Sequence, residues 1–240
     1  MSGHCSILIT TRPEIKNSPL SLFPGFRHLN IPMTQIVEVN FNSSNFEEFS
    51  PELLIFTSST GAFMFLGKEV SHRYSGIDCI CIGKTTAAAL NGFSSNISVP
   101  DVMDSSGVVD LLSGGDYRSR RIALLSSRQS NNAIRNFMER ESYNFRSYDL
   151  YDALPLRNTS IIEYAGSKDV CAIIVTSSQE ARVMSETLDP ANFLAPVYAI
   201  GNTTYREMIK LGFTVEPRIG NSEIQALANE IMRKHSGEWI

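Results

Sequence analysis

Hydroxyl side chains recur in this chain at two matched places, each directly after an apolar run. Thr57-Ser58-Ser59 follows Leu53-Leu54-Ile55-Phe56, and Gly83-Lys84-Thr85-Thr86 begins 25 residues after Ser58. Thr176-Ser177-Ser178 follows Ala172-Ile173-Ile174-Val175, and Gly201-Asn202-Thr203-Thr204 begins 24 residues after Ser177. A strand that stops at Ser or Thr and passes into a helix leaves backbone N–H groups free at the helix start. The hydroxyl caps one of them. The others, together with the helix dipole, favour an anion. Any α/β protein caps its helices in this way, so one such turn signifies little. The repetition carries the signal: the offset is 119 residues for the serines and 118 for the glycines. Cationic side chains stand at comparable positions. Arg12, in Thr10-Thr11-Arg12-Pro13, and Arg128, in Ser126-Ser127-Arg128, each follow an apolar segment. Ligands in α/β proteins gather at such strand ends, although each arginine would serve a surface ion pair equally well. Lys84 follows Gly83 where a helix should begin.

Positioning these turns requires buried strands that feed helices. Apolar, β-branched runs predict strands over 5–10, 53–57, 77–82, 97–100, 122–125, 170–176, 197–200 and 214–216. Helical patterns are expected over 42–49, 61–70, 86–90, 105–112, 131–141, 160–165, 179–188, 203–211 and 223–234, with Ser105 as the cap of the fourth. Phe63, Met64, Phe65 and Leu66 give the second helix a broad apolar face that reads as core. Residues 14–30 read as irregular, because Pro19, Pro24 and Gly25 interrupt any element, and His28 has no evident partner there. Segments 31–39 and 145–154 alternate and are flanked by proline, as extended crossings would be. Two crossings imply an inserted twin. The expected fold is therefore α/β: two similar α/β domains, parallel sheets flanked by helices, joined by a two-stranded linker. Domain 1 is discontinuous, 1–35 plus 153–240. Domain 2 is inserted, 38–148. The linkers lie near 32–40 and 149–155.

Bulk properties remove several function classes. The 240-residue chain is 42% hydrophobic, enough for ordinary cores, and its formal charge of −4 gives no reason to expect nucleic-acid binding. Cys5, Cys79, Cys81 and Cys171 lie in or beside apolar runs and form no Cys-x-x-Cys pair, so buried free thiols in a reducing compartment are expected. No basic segment followed by a long apolar core marks a leader, and no apolar run has membrane-spanning length, so a cytoplasmic protein is expected. Gly83-Lys84-Thr85 is not a Walker loop, because Asp78 occupies the position of its first glycine. Gly-x-Gly-x-x-Gly is absent too, which argues against a nucleotide-using enzyme. No Ser/His/Asp set, paired buried carboxylates or metal-ligand spacing is apparent.

In order along the whole chain, these segments resemble the uroporphyrinogen-III synthase family. The matching residues are Thr10-Thr11-Arg12-Pro13, Phe56-Thr57-Ser58-Ser59 and Ile82-Gly83-Lys84-Thr85-Thr86. They continue with Leu150-Tyr151 before Pro155, Val175-Thr176-Ser177-Ser178, and Ala199-Ile200-Gly201-Asn202-Thr203-Thr204 before Leu211-Gly212. Each is short; their order and spacing are fairly specific. Ser59 and Ser178 stand where the family often has proline. The resemblance implies two α/β domains with the active site between them. It also implies a reaction: linear hydroxymethylbilane loses its hydroxyl as water, and the macrocycle closes to uroporphyrinogen III with ring D inverted, in tetrapyrrole (heme, siroheme or cobalamin) biosynthesis. No metal or organic cofactor is implied. Carried over by position, Ser58, Thr86, Ser177 and Thr204 would lie on the turns that hold the substrate's carboxylates. Thr11, Arg12, Ser59, Lys84, Thr85, Ser178, Asn202 and Thr203, in the same matched segments, and Arg128, at its own strand end, are the further candidates for substrate binding. Tyr151 matches the family's linker tyrosine and is the candidate for assisting loss of the hydroxyl, since a phenol can donate a proton or a hydrogen bond. The implied partner is the tetrapyrrole alone, handed over by hydroxymethylbilane synthase, with no nucleic acid or membrane and a monomeric chain. The alternative is a non-catalytic two-domain protein that closes on an anionic metabolite.

Overall fold

The structure is a computed structural model and describes residues 5–17, 19–217 and 223–236. The chain divides into two compact units, residues 1–36 with 154–240, and residues 37–153.

It begins with β1 (Ile7–Thr10), continues through a 3-10 turn (Glu14–Lys16) to β2 (Arg27–Asn30), and enters β3 (Thr34–Glu38). The second unit follows. It contains α1 (Ser43–Phe49), β4 (Leu53–Phe56), α2 (Ser59–Leu66), β5 (Asp78–Cys81), α3 (Lys84–Ala88) and β6 (Ile97–Ser98). Next come α4 (Ser105–Gly114), β7 (Ile122–Ser127), α5 (Ala133–Arg140) and β8 (Phe145–Pro155). The first unit resumes with α6 (Ser160–Ala165), β9 (Val170–Val175), α7 (Ser178–Thr187), β10 (Val197–Ala199), α8 (Asn202–Lys210) and α9 (Ile224–Ser236). Among the described residues no helix is long and apolar enough to cross a membrane.

The first unit holds a four-stranded sheet in the order β10-β9-β1-β2, with every pairing parallel. Its strands β1, β9 and β10 are buried along their whole length, as the interior of a parallel sheet covered by helices requires. Ile7, Ile9, Ile173 and Val175 enter one core cluster; Leu8, Ala172 and Ile174 enter the other, against Leu227 and Ile231 of α9. The second unit's sheet runs β3-β8-β7-β4-β5-β6, and the pairs from β8 to β6 are parallel. Leu53, Ile55, Ile80 and Leu124 pack on one face with Ile134 and Phe137. Leu54 and Phe56 are fully buried as well, and Phe56 meets Phe65 edge-on at 5.7 Å between ring centroids. Parallel strands placed side by side bring all their C-terminal ends, and the turns that follow them, to one edge.

Several local expectations change. Residues 214–216 form only an isolated parallel bridge, Val215 with Val197, rather than a strand, and the helix expected over 61–70 ends at Leu66, with a 3-10 turn at Glu69–Tyr74 after it. Residues 27–30 form a strand rather than irregular chain: β2 pairs with β1 from Ile7↔Arg27 to Thr10↔Asn30. It is an edge strand with a polar face, so its sequence carries little apolar alternation. His28 does have a partner, since its Nε2 lies 2.7 Å from the Thr10 hydroxyl, which also donates to Asn30 Oδ1 at 2.8 Å. The cap of α4 is Asp104, not Ser105; its carboxylate accepts from the N–H groups of Ser106 (2.8 Å) and Gly107 (3.1 Å). Gly107 is required there, because a Cβ would stand 1.9 Å from the Val102 carbonyl oxygen. Finally, Phe63 is 65% exposed while Phe65 is buried. The two are separated by about 200° around a helix, so they cannot share its inward face.

Candidate functional site

In the second unit Ser58, two residues past β4, is extended, φ −164° and ψ 153°, and caps α2 by accepting from Gly61 N at 3.0 Å. Its hydroxyl also lies 2.9 Å from the phenol oxygen of Tyr151. Tyr151 reaches it from β8, which lies next to β7, itself next to β4. The register shifts at this point: Ser126 pairs with Asp149 but Ser127 pairs with Tyr151, leaving Leu150 as the extra residue of a bulge. Bulges of this kind re-aim a side chain. Only 5% of Tyr151 is exposed. The Gly61 position explains how the ring fits. A Cβ there would meet Ser58 Oγ at 3.3 Å, Leu150 Cδ1 at 3.7 Å and Tyr151 Cε1 at 3.8 Å. A longer side chain would occupy the tyrosine's space.

A cavity of about 160 Å³ opens beside this pair, lined among others by Thr57, Ser126, Ser127, Arg128, Arg135 and Tyr151. That volume suits a carboxylate arm rather than a whole drug-sized molecule. Arg128 is mostly exposed; its backbone N–H donates to the Tyr151 carbonyl at 2.9 Å, and its guanidinium lies 3.9 Å from Asp149. Arg135 is also 3.9 Å from Asp149 and donates to Ser147 Oγ at 3.2 Å. Both pairs are long, so both cations remain able to turn toward an anion. Ser59 opens α2, and its side chain is half-buried. The turn after β5 adjoins that after β4, because Ile82 N donates to the Phe56 carbonyl at 3.0 Å. There Gly83 precedes α3, with Lys84 and Thr85 exposed and Thr86 buried.

The first unit repeats the geometry. Ser177 has φ −150° and ψ 158°, and accepts from Glu180 N at 3.2 Å. Gly201 matches Gly83 closely, φ −166° and ψ 174° against −169° and 171°. Asn202 and Thr203 are exposed and Thr204 is buried, as in the first copy. Ser178 Oγ donates to the Thr203 carbonyl at 3.5 Å, tying the two turns together. The third position of α7 breaks the likeness. Where α2 has Gly61, α7 has Glu180, only 2% exposed. Its carboxylate accepts from Thr11 Oγ1 (2.7 Å), Thr176 N (2.8 Å) and Thr176 Oγ1 (2.9 Å). Arg12, 8% exposed, is held below the ordinary arginine range by burial, an effect that the Glu180 charge opposes. The ends of β1 and β9 are thus fastened by one buried carboxylate.

Thr11 and Arg12 therefore gather with Ser177 around Glu180, and Ser58 and Arg128 gather with Tyr151. Lys84, Thr85, Asn202 and Thr203 stand at solvent-exposed helix starts. Sequence reasoning omitted Glu180, Arg135 and Asp149. The first was legible as a capping box, Ser177-x-x-Glu180, although its side chain reaches Thr176 rather than the cap's own N–H. At the surface of the second unit, the arginines at 118, 120 and 121 pair with Glu141, Asp78 and Glu52.

Two sheets with parallel cores, each ending in a matched pair of Ser- and Gly-headed helix starts, define a duplicated α/β protein whose polar turns lie along sheet edges. A model of the family described as uroporphyrinogen-III synthase HemD matches residues 24–221, and the chain belongs to that family, whose members are cyclising lyases of tetrapyrrole synthesis. Solved structures agree on the fold. Uroporphyrinogen-III synthetase from Helicobacter pylori 26695 aligns with a TM-score of 0.64 at 13% identity, over 96% of this chain and 99% of the other. A mutant uroporphyrinogen III synthase from the extremely thermophilic bacterium Thermus thermophilus aligns with 0.61 at 15% identity, over 98% and 100%. No curated protein matches the sequence.

Proposed function

We propose that the chain closes hydroxymethylbilane to uroporphyrinogen III, with Tyr151 assisting departure of the hydroxyl group. The observation that carries this reading is the Ser58–Tyr151 hydrogen bond of 2.9 Å, beside a polar cavity, in a chain of this family. The C–O bond breaks as the pyrrole nitrogen pushes electrons outward, and the oxygen leaves as water after taking a proton. The phenol of Tyr151 supplies that proton or a hydrogen bond. Ser58, which can donate or accept, holds the phenol's orientation. The azafulvene that remains is electrophilic and closes readily. Selectivity comes from positioning, so that the substituted carbon of ring D attacks first and gives a spiro intermediate.

The substrate carries carboxylates on every ring, and the hydroxyl turns of each unit are suited to them. A helix start contributes roughly 0.3–1 kcal/mol per exposed anion, so several turns must act together. Ser58, Ser59, Lys84, Thr85 and Thr86 serve in one unit. Thr11, Arg12, Ser177, Ser178, Asn202, Thr203 and Thr204 serve in the other. Arg128 adds a mobile cation. The chain works as a cytoplasmic monomer on substrate handed over by hydroxymethylbilane synthase.

Expression in a bacterial strain that lacks this activity tests the reading. Growth without added heme is the expected result. A soluble, folded chain in cells that accumulate only type I uroporphyrin would overturn it.

A further inference from the structure

Three side chains from distant parts of the sequence meet at the other end of the first unit's sheet. Cys5 precedes β1, Cys171 is the second residue of β9, and His235 lies near the end of α9. One ligand atom from each lies within 4.8 Å of the other two, and Cys5 Sγ is 3.2 Å from His235 Nδ1. We propose that Cys5, Cys171 and His235 form a binding site for a thiophilic divalent cation of the zinc class, a structural site separate from the substrate turns.

The chemistry of the donor set fits. Zinc takes thiolate sulfur at about 2.3 Å and imidazole nitrogen at about 2.0–2.1 Å in tetrahedral geometry. Those lengths place ligand atoms roughly 3.5–3.8 Å apart, so the observed spacing closes on a metal with shifts of about an ångström or less. Charge also fits. Two thiolates and a neutral imidazole balance a divalent cation, and the surroundings are apolar: Leu8, Ile174 and Ile231 belong to the same cluster as Cys171, with Cys5 packed against it. A neutral complex avoids the cost of leaving net charge in such a place. Binding releases two protons, one from each thiol, and leaves a fourth position for water. His235 is otherwise little engaged, since its Nε2 is buried without a hydrogen-bond partner among the described residues.

Backbone hydrogen bonds and core packing hold the supporting frame. Ser6 N and Ile7 N both donate to the Asp169 carbonyl at 2.9 Å, which fixes the chain between Cys5 and β1 against the start of β9. Helix α9 packs on the same core through Leu227, Ile231 and Met232. A cation would therefore clip the first strand, a central strand and the last helix together. The ligands sit at the N-terminal ends of β1 and β9, whereas the hydroxyl turns follow their C-terminal ends, roughly 13 Å away for a four-residue strand. The expected role is stability, not turnover.

The test uses the tag-free full chain, stripped with a chelator under reducing conditions and titrated with Zn(II) or Co(II). One equivalent of Co(II) should give a thiolate-to-cobalt charge-transfer band, and Zn(II) should displace it and raise the thermal midpoint. Cys5→Ala, Cys171→Ala and His235→Ala should each weaken binding by at least about tenfold. Cys79→Ala, in the other unit, should leave it unchanged. Circular dichroism establishes that each variant is folded; if Cys171→Ala fails to fold, Cys5→Ala and His235→Ala decide. A folded wild type with no cobalt band overturns the site. So does a band that survives the ligand variants, or a Cys5–Cys171 disulfide found by mass in chain never exposed to oxidant.

Discussion

Tyr151→Phe separates chemistry from structure at one atom. The ring is retained, so its burial, and the contacts that follow from it, are unchanged. What disappears is the phenol oxygen 2.9 Å from Ser58 Oγ. Ser58 is not stranded, because its oxygen still accepts from Gly61 N at 3.0 Å and its proton can turn toward the cavity. The stability cost is therefore that of one neutral hydrogen bond, about 0.5–1.5 kcal/mol. Loss of a positioned acid lowers a rate by roughly 10²–10⁴, which corresponds to about 2.7–5.4 kcal/mol in the barrier. The effect on turnover should thus exceed the effect on folding severalfold. Hydroxymethylbilane generated in situ provides the substrate, and spontaneous closure to the type I isomer provides an internal clock. Isomers are separated after oxidation, and a urea titration supplies the stability. The variant should unfold near the wild-type midpoint and shift product toward type I. Equal rates of type III formation in a folded variant would remove the phenol from the chemistry. A stability loss above about 3 kcal/mol would make it a structural group.

Other perturbations follow from the same geometry. Glu180→Ala removes a buried acceptor of several hydrogen bonds and the charge facing Arg12, and should cost about 3–5 kcal/mol; Glu180→Gln keeps one acceptor oxygen and should cost clearly less, as read by denaturation. Equal losses would assign everything to charge, and a loss below about 1 kcal/mol for Glu180→Ala would contradict its role at the ends of β1 and β9. Ser177→Ala should lose about 1 kcal/mol, the value of a cap, with hydrogen exchange accelerated in the first turn of α7 and not elsewhere. His28 is held below its ordinary basicity by burial and then by Arg12, while Glu14 opposes them. The unfolded chain therefore binds this proton first, so the His28 contribution is complete above about pH 6.5 and declines as pH falls through the lower folded value. His28→Gln should flatten that acid limb of the stability profile; an unchanged slope would show that His28 is not its source. Burial lowers His235 as well, and a chelator keeps its contribution the same in both proteins.

The α/β fold was legible because buried parallel strands are written as continuous apolar runs, and the helix starts after β4, β5, β9 and β10 are written in Ser or Gly. β4 and β9 differ from their expected limits by a residue. β2 was not legible: an edge strand needs only one covered face, and Arg27, His28 and Asn30 mask it. The inward face of α2 was misjudged at Phe63, since four apolar residues in succession cannot indicate which of them the helix turns outward. The difference between Gly61 and Glu180 was present in the sequence, yet its meaning depends on what packs nearby. Gly61 makes room for a ring that arrives from β8, about ninety residues later in the chain. The cluster of Cys5, Cys171 and His235 has no spacing signature at all, because three separate elements assemble it.

The isomer composition of the product made by the purified wild-type chain tests the central claim most directly. With hydroxymethylbilane supplied by its synthase, the expected product is predominantly uroporphyrinogen III, formed faster than spontaneous closure. Type I product alone, at the spontaneous rate, from a chain shown to be folded would contradict it.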